Sequence, residues 1–291
     1  MKFEVSHRTS YQYRAPVAQS HHVIHLKPRG LTGQTVIHHS LLIEPAPVSS
    51  AEITDSFGNT SVLLQIEDEH QEFIVHARST IEIDASAIPD VTQSPAWEDV
   101  KPTSRQSAVG MDVGVRQFVC RSRHVPVSLD IVAFAQASFR PGRPVLDGAM
   151  HLTRRIFKEF TFDPKATDIS TPVSRVLETR RGVCQDFAHL AIAACRALGI
   201  PARYVSGYLM TRPPPGQAKL RGADASHAWL SVWSGEQGWI DFDPTNGIIP
   251  RGEHITLAYG RDYEDISPIS GVLLGGGDQT MTVAVDVEPV E

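Results

Sequence analysis

The chain has 291 residues, enough for one large domain or two ordinary ones. Hydrophobic residues make up 41% and charged residues 21%, which excludes a disordered polyelectrolyte and fits a folded chain with a sizeable core. The net charge of −6, with no basic run beyond the pairs Arg154-Arg155 and Arg180-Arg181, argues against nucleic-acid binding, which rests on clustered lysine and arginine.

The start at Met1 shows no apolar signal stretch, and no segment approaches the roughly 18–20 apolar residues of a membrane helix. The expected location is therefore cytoplasmic, with no membrane association. Three cysteines, Cys120, Cys184 and Cys195, cannot build a disulfide framework, and an odd number suits a reducing compartment.

The first 85 residues read as β structure. Short β-rich runs at Val36-Ile37, Leu41-Leu42-Ile43, Val62-Leu63-Leu64 and Phe73-Ile74-Val75 are separated by turn clusters at Pro28-Arg29-Gly30 and Asp55 to Asn59. That texture predicts a sandwich-like domain, followed by a proline- and serine-bearing linker over 86–110. The six histidines of the first forty residues, His7, His21, His22, His25, His38 and His39, read best as separate surface groups, with a metal or substrate contact as the alternative.

Helical texture begins near residue 127. Val145 to Phe160 carries Leu146, Met150, Ile156, Phe157 and Phe160 on one apolar face. A second helix over 184–198 places Phe187, Leu190, Ala191, Ala194 and Leu198 at helical spacing, with Gly199 and Pro201 as its stop signals. Strands follow over 202–209, 226–233 and 239–242, the last two joined by the Ser234 to Gly238 turn, and a final strand covers Thr280 to Val287. The loop at 211–222, with Pro213-Pro214-Pro215, reads as a mobile rim or a plain surface loop.

Cys184 opens the second helix, where the positive end of the helix dipole favours a thiolate. A thiolate nucleophile needs a histidine partner, and that histidine needs an orienting group. If Trp233 opposes Trp239 across the hairpin, Asp243 opposes Trp229 and lies diagonal to His227, while Asp241 sits opposite Ser231, too far away. The register thus selects Cys184, His227 and Asp243 as nucleophile, base and orienter. The backbone N–H of Cys184 supplies one oxyanion donor.

The segments Arg181 to His189 and Ile200 to Tyr208 resemble the nucleophile motif of the transglutaminase-like superfamily. Ser226-His227-Ala228-Trp229 and Gly238 to Asn246 resemble its histidine and aspartate motifs, in the same order. The stretch His254 to Tyr263 resembles the tail of one bacterial branch that carries an N-terminal β-domain. The resemblance implies an α+β protein, with an N-terminal β-sandwich-like domain and linker over 1–110 and a papain-like transglutaminase core over 111–291. It implies Cys184, His227 and Asp243 as the catalytic triad, no cofactor or metal, and a protein or peptide substrate. Members include cross-linkers, cysteine peptidases, amidases and inactive descendants.

Many relatives have a tyrosine where this chain reads Phe160-Thr161-Phe162, and phenylalanine cannot donate a hydrogen bond. Gln185 and Trp229 are the remaining candidates for a second oxyanion donor and substrate contact. Asp186 is expected to stabilise the helix start and His189 to pack below the site, against the alternative of a Cys184, Asp186 and His189 metal cluster. Cys195 and Cys120 read as structural. Hydrolysis or transfer at an amide is the expected activity, and a non-catalytic binding module that kept the fold is the alternative from another class.

Overall fold

The computed structural model describes residues 1–84, 89–102, 113–211 and 226–290. Five strands open the chain: β1 (Lys2–Ile24), β2 (Gln34–Glu44), β3 (Ser49–Thr54), β4 (Thr60–Ile66) and β5 (His70–Ile83). Next come α1 (Val113–Arg116), α2 (Leu129–Gln136), α3 (Val145–Glu159), the short β6 (Thr161–Phe162), α4 (Val173–Thr179), β7 (Arg181–Gly182) and α5 (Cys184–Ala197). The chain finishes with β8 (Ala202–Leu209), β9 (Ser226–Trp233), β10 (Trp239–Phe242), β11 (His254–Gly260), β12 (Ile269–Gly275) and β13 (Gln279–Val290). Among the described residues no helix is long and apolar enough to cross a membrane.

Strand β1 is the spine of the first domain. Its first half runs between β5 and β13, and its last residues run between β4 and β12. The ladder to β5 breaks between Gln12 and Val17. Pro16 lies in that break, where its missing N–H costs no ladder bond. The two leaves that β1 connects face each other, with the His22 ring stacked 4.2 Å from that of Phe73. The expected sandwich-like domain is thus one sheet, bent around a shared strand.

Two expectations need correction here. A boundary at residue 110 assigns everything after it to the second domain, yet β12 and β13 return to pair with β1. β13 pairs along Lys2 to Tyr13 and buries Val285 and Val287, so the expected strand over 280–287 completes the first domain. The link to β12, an unanticipated strand, is Gly275, Gly276 and Gly277, all at positive φ, where side chains are strained. The early histidines also divide: His7, His22 and His25 are buried, against the surface reading. His7 Nδ1 lies 2.8 Å from the Tyr208 hydroxyl, on the boundary with the second domain.

Residues 89–102 of the expected linker are described and structured. Asp90 caps a single turn over Val91–Gln93, Trp97 packs edge-on against Phe139, and Val100 is buried. Residues 85–88, 103–112 and 212–225 lie outside the described residues, and with them all but Thr211 of the expected rim loop over 211–222.

The second domain is organised around α5, whose residues from Asp186 to Arg196 are all buried. It lies between the helices α2, α3 and α4 and the strands β8 and β9. Gly199, at φ +80°, ends it, and the N–H groups of Gly199 and Ile200 return to the carbonyls of Arg196 and Cys195. Leu146, Met150 and Ile156 of α3 are buried as their spacing predicts. Phe157 is an exception at the margin of that face, 52% exposed beside the Gly247 turn. Cys195 is fully buried, whereas Cys120 is exposed rather than part of the core.

The second sheet has the order β10-β9-β8-β11, with Trp239 opposite Trp233 as the hairpin argument requires. Its β11 edge is covered by side chains rather than by a strand. Gln34 donates to the Thr256 carbonyl and accepts the Thr256 N–H, each at 2.8 Å. Asn59 does the same for Tyr259, again at 2.8 Å in both directions. Two buried amides thus satisfy the backbone groups that an edge strand leaves open, and they bind the two domains together. Gln34→Ala or Asn59→Ala strands buried backbone groups and is expected to cost about 1–3 kcal/mol, measured as a lowered denaturation midpoint with unchanged slope.

Candidate active site

Cys184 is the first residue of α5, and the chain before it is shaped to deliver it there. Asp186 Oδ2 accepts the Val183 N–H at 2.8 Å and the Thr167 hydroxyl at 2.6 Å, closing the first turn. A side chain on Gly182 would place its Cβ only 2.8 Å from that oxygen, so Gly182 is a condition of the turn. Burial raises the pKa of Asp186, against the pull of these hydrogen bonds. β6 and β7 pair in parallel just ahead, with Phe162 in register with Gly182.

His227 stands second in β9, opposite Gly207 of β8. Any side chain at Gly207 would collide with the Ile255 carbonyl and the Trp229 ring. His227 Nε2 donates to Asp243 Oδ2 at 2.8 Å, and Cys184 is near enough to act on the same imidazole. With Nε2 committed to the carboxylate, Nδ1 is the nitrogen left for the thiol. The structure therefore brings Cys184, His227 and Asp243 together in that order. Burial alone would depress the His227 pKa, but the hydrogen bond to Asp243 and the neighbouring Asp243 and Cys184 raise it to about 10.

Asp243 is fully buried and intensively solvated by the protein. Its Oδ1 accepts the N–H groups of Thr245 at 2.9 Å and Asn246 at 3.2 Å, an Asx-type turn. Its Oδ2 accepts from His227, from the Asn246 side chain at 2.7 Å, and from His254 Nε2 at 3.0 Å. Burial works to raise its pKa, but the donors prevail and hold it well below the usual carboxylate range. The ligand-type atoms of His227, Asp243 and His254 lie within 4.8 Å of one another, a spacing a metal ion could use. Both Nε2 atoms, however, face a carboxylate oxygen that can only accept, so they serve as proton donors.

Trp229 requires a correction. It is fully buried, and its indole N–H donates to Asp241 Oδ2 at 2.9 Å. That N–H is therefore already committed to Asp241, and the ring packs edge-on against His254, with centroids 5.3 Å apart, beneath the two histidines. Gln185 is half-buried next to Cys184. Asp186 and His189 do not join Cys184 in a cluster. His189 lies stacked 5.2 Å from His124 and accepts the Tyr263 N–H at 3.2 Å.

Sequence reasoning missed His254, Asn246 and the Trp229–Asp241 pair. The Asp-Pro-Thr-Asn run over 243–246 carries a readable Asx-turn signal. His254 has no such local signal, because β11 and β10 are opposite edges of the sheet and His254 meets Asp243 from across it.

A buried carboxylate and an imidazole thus stand beside a thiol on a helix start. Residues 132–244 match the transglutaminase-like superfamily, and residues 3–82 match the bacterial transglutaminase-like N-terminal region. The chain belongs to the transglutaminase-like superfamily. An uncharacterized protein of Mycobacterium tuberculosis is 35% identical over 298 residues, covering 100% of this chain and 93% of its own length. A protein-glutamine gamma-glutamyltransferase of Pseudomonas aeruginosa is 34% identical over 116 residues, covering 38% of this chain but 17% of that protein. A solved structure from Cytophaga hutchinsonii, described as a candidate cysteine protease, superposes with a TM-score of 0.78 at 24% identity, covering 100% of this chain and 91% of its own.

The His227–Asp243 pair has a consequence for stability. A histidine whose pKa is raised by folding stabilises fully below its unfolded value of 6.5 and loses that contribution as pH rises through about 10. Thermal melts of the native chain should therefore decline across that alkaline window. Asp243→Asn is expected to be less stable below pH 6.5 and to show a flatter alkaline decline.

Proposed function

We propose that the protein is a cysteine-dependent amide hydrolase or acyltransferase acting on protein or peptide substrates. The observation that carries this reading is the His227–Asp243 hydrogen bond with Cys184 beside the same imidazole, its thiol on the first residue of a buried helix.

Cys184 Sγ attacks the carbonyl carbon of an amide, either a glutamine side chain or a peptide bond. The oxygen that gains charge is met by the Cys184 N–H, with the Gln185 side chain as the proposed second donor. His227, protonated in the resting ion pair, passes its proton from Nδ1 to the departing nitrogen as the C–N bond breaks, leaving a thioester on Cys184. Water or an amine then attacks the thioester, His227 takes the incoming proton, and the thiolate returns. Asp243 fixes the tautomer throughout. Hydrolysis is the preferred outcome, because water is the default acceptor unless a site excludes it. Three unpaired cysteines support a reducing, cytoplasmic setting.

The test is to incubate the full chain with a blocked glutaminyl-glycine dipeptide and a mixed peptide library, with and without hydroxylamine. Ammonia release or peptide cleavage, abolished in Cys184→Ala and reduced about 10²–10⁴-fold in His227→Ala, is the expected result. Product in water alone identifies a hydrolase, and hydroxamate formed in preference to acid identifies a transferase. Turnover that survives Cys184→Ala would remove the nucleophile from the account.

A further inference from the structure

His254 has no part in the reaction just described, yet it donates to the same oxygen that holds His227. Its Nε2 lies 3.0 Å from Asp243 Oδ2, against 2.8 Å for His227, and its other nitrogen, Nδ1, is buried without a hydrogen-bond partner. The residue is 9% exposed, so water contributes little to either nitrogen. Only one ring atom is thus satisfied, and it is the one on Asp243.

The position of His254 depends on the first domain. It begins β11, two residues before Thr256, whose N–H and carbonyl are both held by Gln34. Asn59 holds the same strand at Tyr259. The remaining donors to Asp243, namely His227, Thr245 and Asn246, come from β9 and from the turn that contains Asp243 itself. His254 is therefore the donor whose placement is set by the N-terminal domain.

We propose that His254 is a positioning residue, held in place by the N-terminal β-domain, that sets how much of the Asp243 carboxylate is available to His227. A carboxylate oxygen shared among three donors gives less to each. With His254 in place, His227 remains a good enough acid to protonate the leaving nitrogen. Without it, Asp243 draws more strongly on His227, which then gives up its proton less readily. The ionisable groups that act directly on His227 are Asp243 and Cys184, with the His254 ring centroid 5.8 Å away. The inference rests on the Cys184, His227 and Asp243 reading and gives the N-terminal domain a role in it.

The experiment follows the His227 titration in ¹⁵N-histidine-labelled full chain, assigned by the signal lost in His227→Ala. His254→Leu, which removes the donor and keeps the bulk, is expected to tighten proton binding at His227 about tenfold, the scale of one hydrogen bond to a charged group. His254→Gln, which returns an N–H near the position of Nε2, is expected to fall close to the native chain. Gln34→Ala is expected to shift the titration in the same direction by less, and it carries the test if His254→Leu does not fold. An unchanged or weakened His227 proton affinity in His254→Leu overturns the proposal, and an unchanged titration in Gln34→Ala overturns the role of the N-terminal domain. If the native His227 titrates near 6.5 and ignores Asp243→Asn, the triad reading fails together with this one. If it titrates high and His254→Leu leaves it there, this inference alone fails.

Discussion

A fully buried carboxylate is the constraint around which the second domain is arranged. Asp243 carries charge where water does not reach, and an unpaired buried charge would cost far more than the fold can supply. The protein answers with five donors: two backbone N–H groups on one oxygen and two imidazoles and an amide on the other. Meeting that demand involves the Asx turn after β10, His254 at the start of β11, and the placement of His227. The charge that remains acts on the imidazole of His227, beside Cys184.

The same logic of satisfied polar groups joins the two domains. The β11 edge would expose backbone donors and acceptors inside a domain boundary. Gln34 and Asn59 meet them as a strand would, one pair of hydrogen bonds each. The last two strands then leave the helical domain and add to β1, so the first domain's sheet is completed by chain that follows the second domain. The N-terminal domain thus holds the strand from which His254 reaches Asp243.

Local features were legible in the sequence, and features that depend on curvature were not. The hairpin register followed from pairing Trp233 with Trp239, and it correctly separated Asp243 from Asp241. The limits of α5 followed from Cys184 at one end and Gly199 at the other. Trp229 was misread because a strand pattern gives the face of a side chain but not the partner of its N–H, which is Asp241. His254 was hidden because it meets Asp243 from the opposite edge of the sheet. The 23-residue β1 was hidden as well, since its apolar alternation is interrupted at Pro16, where the strand passes from one leaf to the other. β12 escaped notice because its residues after Ile269 are exposed and carry no buried face to impose a pattern.

The central claim is that Cys184 and His227 form a functional pair. It is tested most directly by measuring, cysteine by cysteine with mass spectrometry, the rate of iodoacetamide alkylation against pH in the native chain and in His227→Ala. The account predicts that Cys184 reacts rapidly below pH 7 and that this reactivity disappears with His227, while Cys195 stays inert, because burial pushes its thiol up to about 12. A Cys184 that reacts identically in both proteins, or only at the pH of an ordinary free thiol, would contradict it.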